Sequence, residues 1–162
     1  MDILSHALWS AAIFWSINPW LAVLAGVLPD LLAFAPLTTY QLIKKEPFKA
    51  HHFGELRTRY PTYPRALRVY AENTYKITHS LLIAIPTILV AWSVFGVQLW
   101  LLAWPLHILI DIPLHKKHFF GTQVLWPLSN WAYDGVYWSN RYVLATNAAL
   151  LVLTFALLLA YT

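Results

Sequence analysis

Three long stretches of the chain are almost free of charged residues. The first covers residues 3–43 and contains one charge, Asp30. The second covers residues 77–110 and contains none, and the third follows Arg141 to the end of the sequence. A transmembrane helix needs about 20 mainly apolar residues. The first two stretches are therefore each long enough for two short spans, and the third for one.

Two short breaks divide the longer stretches. Asn18-Pro19 interrupts the first, because the residue before Pro avoids the α region and Pro has no backbone N–H to donate. Phe95-Gly96-Val97-Gln98 divides the second in the same way. Two long polar connections, residues 37–76 and 114–141, join the resulting pairs. The pattern predicts five transmembrane helices at about residues 3–17, 20–36, 77–95, 99–113 and 142–161.

Composition agrees with this pattern. Of the 162 residues, 59% are hydrophobic and only 11% are charged, whereas a soluble domain carries about 25% charge. We therefore expect an all-α integral membrane protein with a single membrane domain over residues 1–162. The absence of Cys excludes disulfides and thiolate metal sites. The acidic start, Met1-Asp2, is unlike a signal peptide, so we expect the first apolar stretch to be retained.

The positive charges predict the orientation. Five crossings place both long connections and the N-terminus on one side, and all eleven Lys and Arg residues fall on that side. By the positive-inside rule it is cytoplasmic, and the C-terminus lies outside. The connections are also rich in Tyr and Trp, which favour the lipid headgroup level, and residues 65–76 after Pro64 could form an interfacial helix. The net charge of +4 then indicates membrane lipids as partners rather than nucleic acid. No obligate protein partner is inferred.

Five ionisable side chains fall within the predicted spans. Such residues are expensive in a membrane and commonly functional. Odd-numbered spans begin on the cytoplasmic side and even-numbered spans end there, so all five lie at one depth, one or two turns below that surface. They are His6, Asp30, His79, His107 and Asp111.

The pair His107 and Asp111 carries the clearest local signal. Residues four apart share one face of a helix, so both side chains could reach one ion, although a His–Asp hydrogen bond is a common structural alternative. Nitrogen and carboxylate ligands suit Zn²⁺ or another divalent metal. Five candidates exceed one tetrahedral shell that also holds a water. Either a carboxylate is the general base, or a second ion binds with help from His115 or His118. Pro113 leaves the direction of His115 open.

Several of these residues have plainer interpretations. His6 could simply pair with Asp2 near the interface. Asp30, which follows Pro29, could cap a helix that resumes there. His79, together with its neighbours Thr78 and Ser80, could begin the third span as a cap.

Other histidines lie outside the spans. His51 and His52 are in a basic, Pro-flanked loop and are typical of solvated or lipid-facing residues. His118 follows two lysines and fits a headgroup contact better than a metal ligand.

Five short motifs follow one another along the chain. They are Met1-Asp2-Ile3-Leu4-Ser5-His6, Leu28-Pro29-Asp30, Thr78-His79-Ser80-Leu81, His107-x-x-x-Asp111 and Leu125-Trp126-Pro127-Leu128-Ser129. In this order and spacing they resemble the YdjM-like family, LexA-regulated bacterial inner-membrane proteins described as metal-dependent hydrolases. The resemblance covers about residues 1–130 and implies a location in the inner membrane and a metal site formed by the five intramembrane residues, with Pro127 structural. The family pattern places a His-Arg pair just before Thr-His-Ser, where this chain has Tyr75-Lys76-Ile77.

A second, remote resemblance covers one helix end. Residues 107–115 are similar to the His-x-x-x-Asp segment followed by Pro-Leu-His in zinc-dependent phospholipase C and single-strand-specific nucleases. This similarity implies phosphodiester chemistry.

These observations lead to one functional expectation. The protein would be a membrane-embedded hydrolase that uses one or two divalent ions, most simply Zn²⁺, to cleave an ester or phosphoester of an amphiphilic, lipid-like substrate at the cytoplasmic leaflet. The expected ligands are His6, His79, His107 and Asp111, with His115 as an additional candidate. Asp30 would be a ligand or the base, and Asp30 and Asp111 are the candidate catalytic carboxylates. Lys76 and Arg141 could hold a phosphate.

Three other classes of protein remain open. A membrane module with a structural metal would use the same ligands without catalysis. A haem or electron-transfer protein would use paired histidines as axial ligands, but it would not explain the two carboxylates at the same depth. A transporter would use intramembrane His and Asp, but it needs polar residues toward both faces, and the other half of these helices is almost wholly apolar.

Overall fold

A computed structural model describes residues 1–44 and 60–161. Within these ranges the chain forms helices and turns, and no β-strand. His51 and His52 lie outside the described residues. Two 3₁₀ turns, Tyr60–Thr62 and Leu99–Leu102, accompany the α-helices. The α-helices are α1 Ile3–Ile13, α2 Pro19–Ile43, α3 Arg65–Thr78, α4 Leu81–Phe95, α5 Ala103–Leu114 and α6 Arg141–Tyr161.

Two of these helices are long and apolar enough to cross a membrane. They are α2, with 25 residues, and α6, with 21. Helices α3 and α4 form a third candidate if they count as one span that is bent by 61°. Helix α1 has 11 residues and is therefore about 16 Å long, well short of a hydrocarbon core of about 30 Å. The prediction of an all-helical membrane protein is therefore supported by two helices that are long enough to span a membrane, or by three with the bent pair.

The first hairpin forms where the sequence predicts it. Asp2 caps α1 by accepting a hydrogen bond from the Ser5 amide at 2.9 Å. Asn18 caps α2 by accepting one from the Leu21 amide at 3.1 Å, and Pro19 occupies the first turn, where its missing N–H is harmless. Helix α1 ends at Ile13, four residues before the predicted end.

Helix α2 is longer than predicted, because it continues through two prolines. Pro29 and Pro36 both lie inside it, and it ends at Ile43 instead of residue 36. Asp30 is therefore in the middle of a helix, and its interpretation as an N-cap is wrong. Helices in membranes tolerate Pro when neighbouring groups satisfy the freed backbone. Here Pro36 leaves the Leu32 carbonyl without its helical partner, and the Tyr70 hydroxyl donates to that carbonyl at 3.1 Å.

The predicted third span is broken at its first turn. Helix α3 includes the predicted interfacial helix and ends at Thr78, and α4 begins at Leu81. The loop that follows α5 secures the break, since the Leu81 amide donates to the Val124 carbonyl at 2.9 Å. The Ser80 hydroxyl donates to the Trp126 carbonyl at 2.6 Å rather than to its own helix. This arrangement places His79 at the joint between two helices.

The remaining helices surround this joint. Helix α2 packs against α1, α3 and α5, whereas α6 packs against α1. Asn147 provides a polar link in that last pair: its amide donates to the Ser5 hydroxyl and accepts from the Trp9 indole, both at 2.8 Å. Most of the α6 surface remains exposed, as expected of a helix that faces lipid.

Candidate metal centre

Four predicted site residues meet in one buried cluster. Asp30 comes from the middle of α2, His79 from the joint between α3 and α4, and His107 and Asp111 from one face of α5. One ligand atom from each lies within 4.8 Å of all the others. The side chains of His79 and Asp111 are fully buried, while that of Asp30 is 12% exposed. Helices distant in sequence thus deliver two imidazoles and two carboxylates to one point.

The spacing of these atoms suits a small divalent cation. The Oδ2 atom of Asp111 lies 3.4 Å from His107 Nε2 and 3.5 Å from His79 Nε2. The Oδ1 atom of Asp30 lies 3.5 Å from His79 Nε2 and 3.9 Å from His107 Nε2. Ligand atoms about 2.0 Å from a tetrahedral zinc ion are about 3.3 Å apart. The cluster is therefore close to the size of a zinc coordination shell.

The hydrogen bonds of the His79 and His107 imidazoles determine which ring nitrogen of each presents a lone pair to the centre. His107 Nδ1 donates to the Gly26 carbonyl at 2.6 Å, and His79 Nδ1 donates to the Tyr75 carbonyl at 3.1 Å. A carbonyl can only accept, so the proton of each neutral ring is on Nδ1 and the lone pair is on Nε2. The two Nε2 atoms nevertheless face each other at 2.9 Å. Two lone pairs at this distance repel each other unless they share a proton or a metal ion.

The carboxylate of Asp111 faces two groups of histidines. Its Oδ2 atom points toward His79 and His107 and, among the described residues, has no hydrogen-bond partner. Its Oδ1 atom lies 3.0 Å from His6 Nε2 and 3.5 Å from His115 Nδ1, and the amino nitrogen of Met1 also contacts it. A carboxylate that presents one oxygen to each of two ligand groups could serve one ion or two.

His6 belongs to this second group and not to Asp2. The carboxylate of Asp2 accepts from the amide and the hydroxyl of Ser5 instead, so the plainer interpretation of His6 is wrong. The His6 ring stacks on that of His107, with centroids 3.6 Å apart and planes inclined by 23°. Its Nδ1 atom is buried and has no hydrogen-bond partner within the described part of the chain.

The direction of His115, left open by the sequence, is now defined. Pro113 lies inside α5, which ends at Leu114, and His115 turns back so that its Nδ1 atom lies 3.2 Å from the Asp111 carbonyl. The Gly135 amide holds this end of the helix by donating to the His115 carbonyl at 3.0 Å. His115 is therefore at the cluster.

His118 is not at the cluster. Its exposed ring lies 2.9 Å from the Tyr137 hydroxyl.

Tyr75 forms a wall of the centre that the sequence analysis missed. Its ring stacks on His79, with centroids 3.7 Å apart and planes inclined by 18°, and its hydroxyl lies 3.2 Å from that of Thr122. Tyr75 precedes His79 by four residues, so the two share a helix face. The Tyr75 carbonyl also accepts the hydrogen bond from the His79 ring. That spacing was a usable signal, although Tyr75 was regarded only as an interfacial aromatic.

The two predicted phosphate-binding residues have different surroundings. Lys76 lines a cavity of about 380 Å³, and Tyr75 is another residue of its lining. Arg141 instead donates to the hydroxyl of its neighbour Tyr142 at 2.8 Å and lies over that ring. The described structure therefore joins Lys76, and not Arg141, to the surroundings of the cluster.

Comparison with protein-family models, curated proteins and solved structures gives no match. The chemistry of the site must therefore be argued from its own residues.

Proposed function

We propose that this protein is a membrane-embedded, metal-dependent hydrolase that cleaves an ester or phosphoester of an amphiphilic substrate at the cytoplasmic leaflet. The proposal rests first on the facing Nε2 atoms of His79 and His107. Both rings are fixed by backbone carbonyls, so both lone pairs point inward, and the carboxylates of Asp30 and Asp111 add the negative charge that a divalent cation requires. Metal-binding histidines typically donate their other ring N–H to a backbone carbonyl in this way.

Asp30 is the best candidate for a base. It is the most exposed member of the cluster, at 12%, whereas Asp111 is fully enclosed. Substrate and water can therefore approach from the side of Asp30, and Asp111 is suited to hold the ion. A bound divalent ion would polarise the scissile group and lower the pKa of a water molecule, and Asp30 would accept the proton from that water.

The number of ions follows from Asp111. The Oδ2 atom of Asp111 faces the first group of candidate ligands, which are Asp30, His79 and His107. The Oδ1 atom faces the second group, which is His6 and His115. We propose one ion in the first group, most simply Zn²⁺. A second ion in the other group would have to displace the Met1 ammonium group and the proton that His115 Nδ1 donates to the Asp111 carbonyl.

The membrane setting supports an amphiphilic substrate. We propose that all five predicted spans cross or enter the bilayer, with the N-terminus in the cytoplasm and the C-terminus outside, because every Lys and Arg then lies on one side. Membership of the YdjM-like family and location in a bacterial inner membrane are part of the same proposal, supported by the five short motifs.

A structural metal site is the second candidate function. Four protein ligands complete a tetrahedral shell, and a closed shell has no position for a reacting water. The four-atom cluster favours this alternative if every member coordinates one ion at once. The haem alternative is less compatible, because axial imidazoles bind on opposite faces of the macrocycle and 2.9 Å between the nitrogens leaves no room for iron.

One experiment separates the first two candidates. The protein is purified in detergent, its metal content is measured by elemental analysis, and hydrolysis of phospholipids, lysophospholipids and polyprenyl phosphates is followed with and without chelator. Hydrolysis that chelator abolishes and Zn²⁺ restores supports the enzyme. Bound metal without such hydrolysis supports the structural site, and absence of bound metal contradicts both.

A further inference from the structure

The cavity beyond Tyr75 has the composition of a binding site. Its volume of about 380 Å³ is within the usual range for small-molecule pockets. Tyr75 forms one wall, and because the same ring stacks on His79, the cavity lies one aromatic ring away from the metal centre. Aromatic and basic residues share its lining, which includes Lys76, Lys117 and Phe119.

Two lysines of the cavity have no carboxylate partner among the described residues. Three lysines lie in this region, and an ion pair involves only Lys116, whose Nζ atom is 3.6 Å from Asp134. The Lys117 amide donates to the same carboxylate, and this hydrogen bond, followed by the charge of Lys116, lowers the pKa of Asp134. Lys76 and Lys117 are among the residues that line the cavity, and Glu72 is another.

Glu72 does not neutralise Lys76, although it lies one helical turn before it. The Glu72 carboxylate accepts a hydrogen bond from the Tyr60 hydroxyl at 3.0 Å. Burial, followed by the charge of Glu72, raises the pKa of Tyr60, so Tyr60 remains a neutral donor at physiological pH. Among the described residues no ion pair joins Lys76 to Glu72, and Glu72, which also lines the cavity, keeps its negative charge because the Tyr60 hydroxyl only donates to it.

Gln123 adds an uncommitted polar group to the lining. Its Oε1 atom is buried and lacks a hydrogen-bond partner within the described residues. The Nε2 atom of the same amide carries two N–H groups, which an anion can accept. Two lysines without an ion-pair partner in the described part of the chain, together with an amide, supply N–H donors of the kind that phosphate oxygens accept.

From this arrangement we infer that the cavity binds the phosphate group of an amphiphilic phosphate ester, with Lys76 and Lys117 as its cations and Gln123 as an additional donor. Only the role of this cavity in positioning a substrate for hydrolysis rests on the proposed function. Binding itself uses residues outside the metal cluster. The site would hold the substrate by a group distant from the scissile bond, which is how remote binding energy can position a reacting group.

The test measures binding of dihexanoyl phosphatidic acid by calorimetry in detergent, with dihexanoyl phosphatidylcholine, dihexanoylglycerol and inorganic phosphate as the other probes. The metal-depleted protein is used, so that the cluster cannot hold the phosphate. We expect the phosphatidic acid to bind at least 10-fold more tightly than the neutral glyceride. The variant Lys76→Met, Lys117→Met should lose at least 10-fold in affinity.

Lys116→Met is the matched control, because Lys116 is nearby but paired with Asp134. It should change the affinity less than about twofold, in line with the small energy of an exposed ion pair. Gln123→Glu provides a second variant, in which an added negative charge should weaken binding severalfold. Size-exclusion behaviour and metal content like those of the unchanged protein show that each variant is folded.

The outcomes distinguish this inference from the proposed function. Equal affinity for phosphatidic acid and the glyceride, or equal losses in the Lys116 control and the double variant, would overturn the phosphate site even if metal is bound and turnover is present. Phosphate-dependent binding without any bound metal or turnover would support the site and contradict the proposed hydrolase. Inorganic phosphate binding as tightly as phosphatidic acid would support the site with free phosphate as its source, and tighter binding of phosphatidic acid would identify the lipid headgroup.

Discussion

The side chain of Ser10 in α1 lies directly over Gly26 of α2. A Cβ atom at position 26 would overlap the Ser10 hydroxyl and approach the Ser10 Cβ to 3.0 Å. The Gly26 carbonyl is also the acceptor for His107 Nδ1. One small residue therefore permits close contact between two helices and orients a predicted metal ligand.

Gly26→Ala should consequently weaken metal binding as well as stability. The added methyl group must push α1 and α2 apart, and this moves the carbonyl that fixes His107. We therefore expect at least a 10-fold loss of metal affinity, as is typical when a residue that orients a metal-binding histidine is changed. Competition with a chelator of known affinity measures this. Combining Gly26→Ala with Ser10→Gly removes the overlap and should restore most of the affinity. A double variant no better than Gly26→Ala would contradict this explanation.

Asp111 should be the most sensitive residue of the metal centre. It faces both groups of histidines, so Asp111→Ala should remove all bound metal. His107→Ala should remove the ion of the first group, and His6→Ala should at most remove the second. Elemental analysis of purified variants measures the stoichiometry. His118→Ala is the control, since His118 contacts Tyr137 at the surface. Full metal content in Asp111→Ala would exclude this centre.

Asp30→Asn tests the role of the most exposed carboxylate. An amide oxygen can still coordinate but cannot act as a base at neutral pH. If Asp30 is the base, metal content should be retained while chelator-sensitive turnover falls by about 10²-fold or more. Parallel loss of metal and activity would make Asp30 an essential ligand instead. Turnover equal to that of the unchanged protein would remove Asp30 from the mechanism.

Reporter fusions test the five proposed crossings. Fusions after residues 60 and 125 should report the cytoplasm, and fusions after residues 97 and 162 the opposite side. Residue 125 is the most informative, because the 3₁₀ turn Leu99–Leu102 and α5 together reach only about 26 Å, which is barely a bilayer core. An external signal at residue 125 would mean that this segment enters the membrane and returns.

The charge-free stretches predicted the approximate places of the apolar helices, of which two, or three with the bent pair, are long enough to span a membrane. The shared depth of the five ionisable residues predicted the cluster. The length of α2 was missed, because helices that pack in a membrane tolerate Pro29 and Pro36 where isolated ones would break. The break between the interfacial helix and the third span lies at His79 and Ser80, a few residues later than predicted, because a loop more than 40 residues later satisfies the backbone there. Contacts of this kind have no local signal.

The direction of His115 and the wall formed by Tyr75 depend on the same long-range packing. His115 is turned toward Asp111 by a helix end that the Gly135 amide secures. The sequence shows Pro113 beside it but cannot show which way the chain leaves the helix. Tyr75, by contrast, could have been found from its spacing to His79.

The contact between His6 and Asp111 joins residues 105 positions apart, and this separation bears on how the protein is made. During synthesis His6 and Asp30 enter the membrane long before α5 exists. Until α5 is made, the carboxylate of Asp30 lacks the His107 imidazole beside it. An uncompensated charge in the bilayer region is costly. Closing such long loops is also entropically unfavourable. Capture of the proposed ion would therefore be a late event, which requires that α5 has joined the earlier helices, and it would connect the beginning of the chain to its second half.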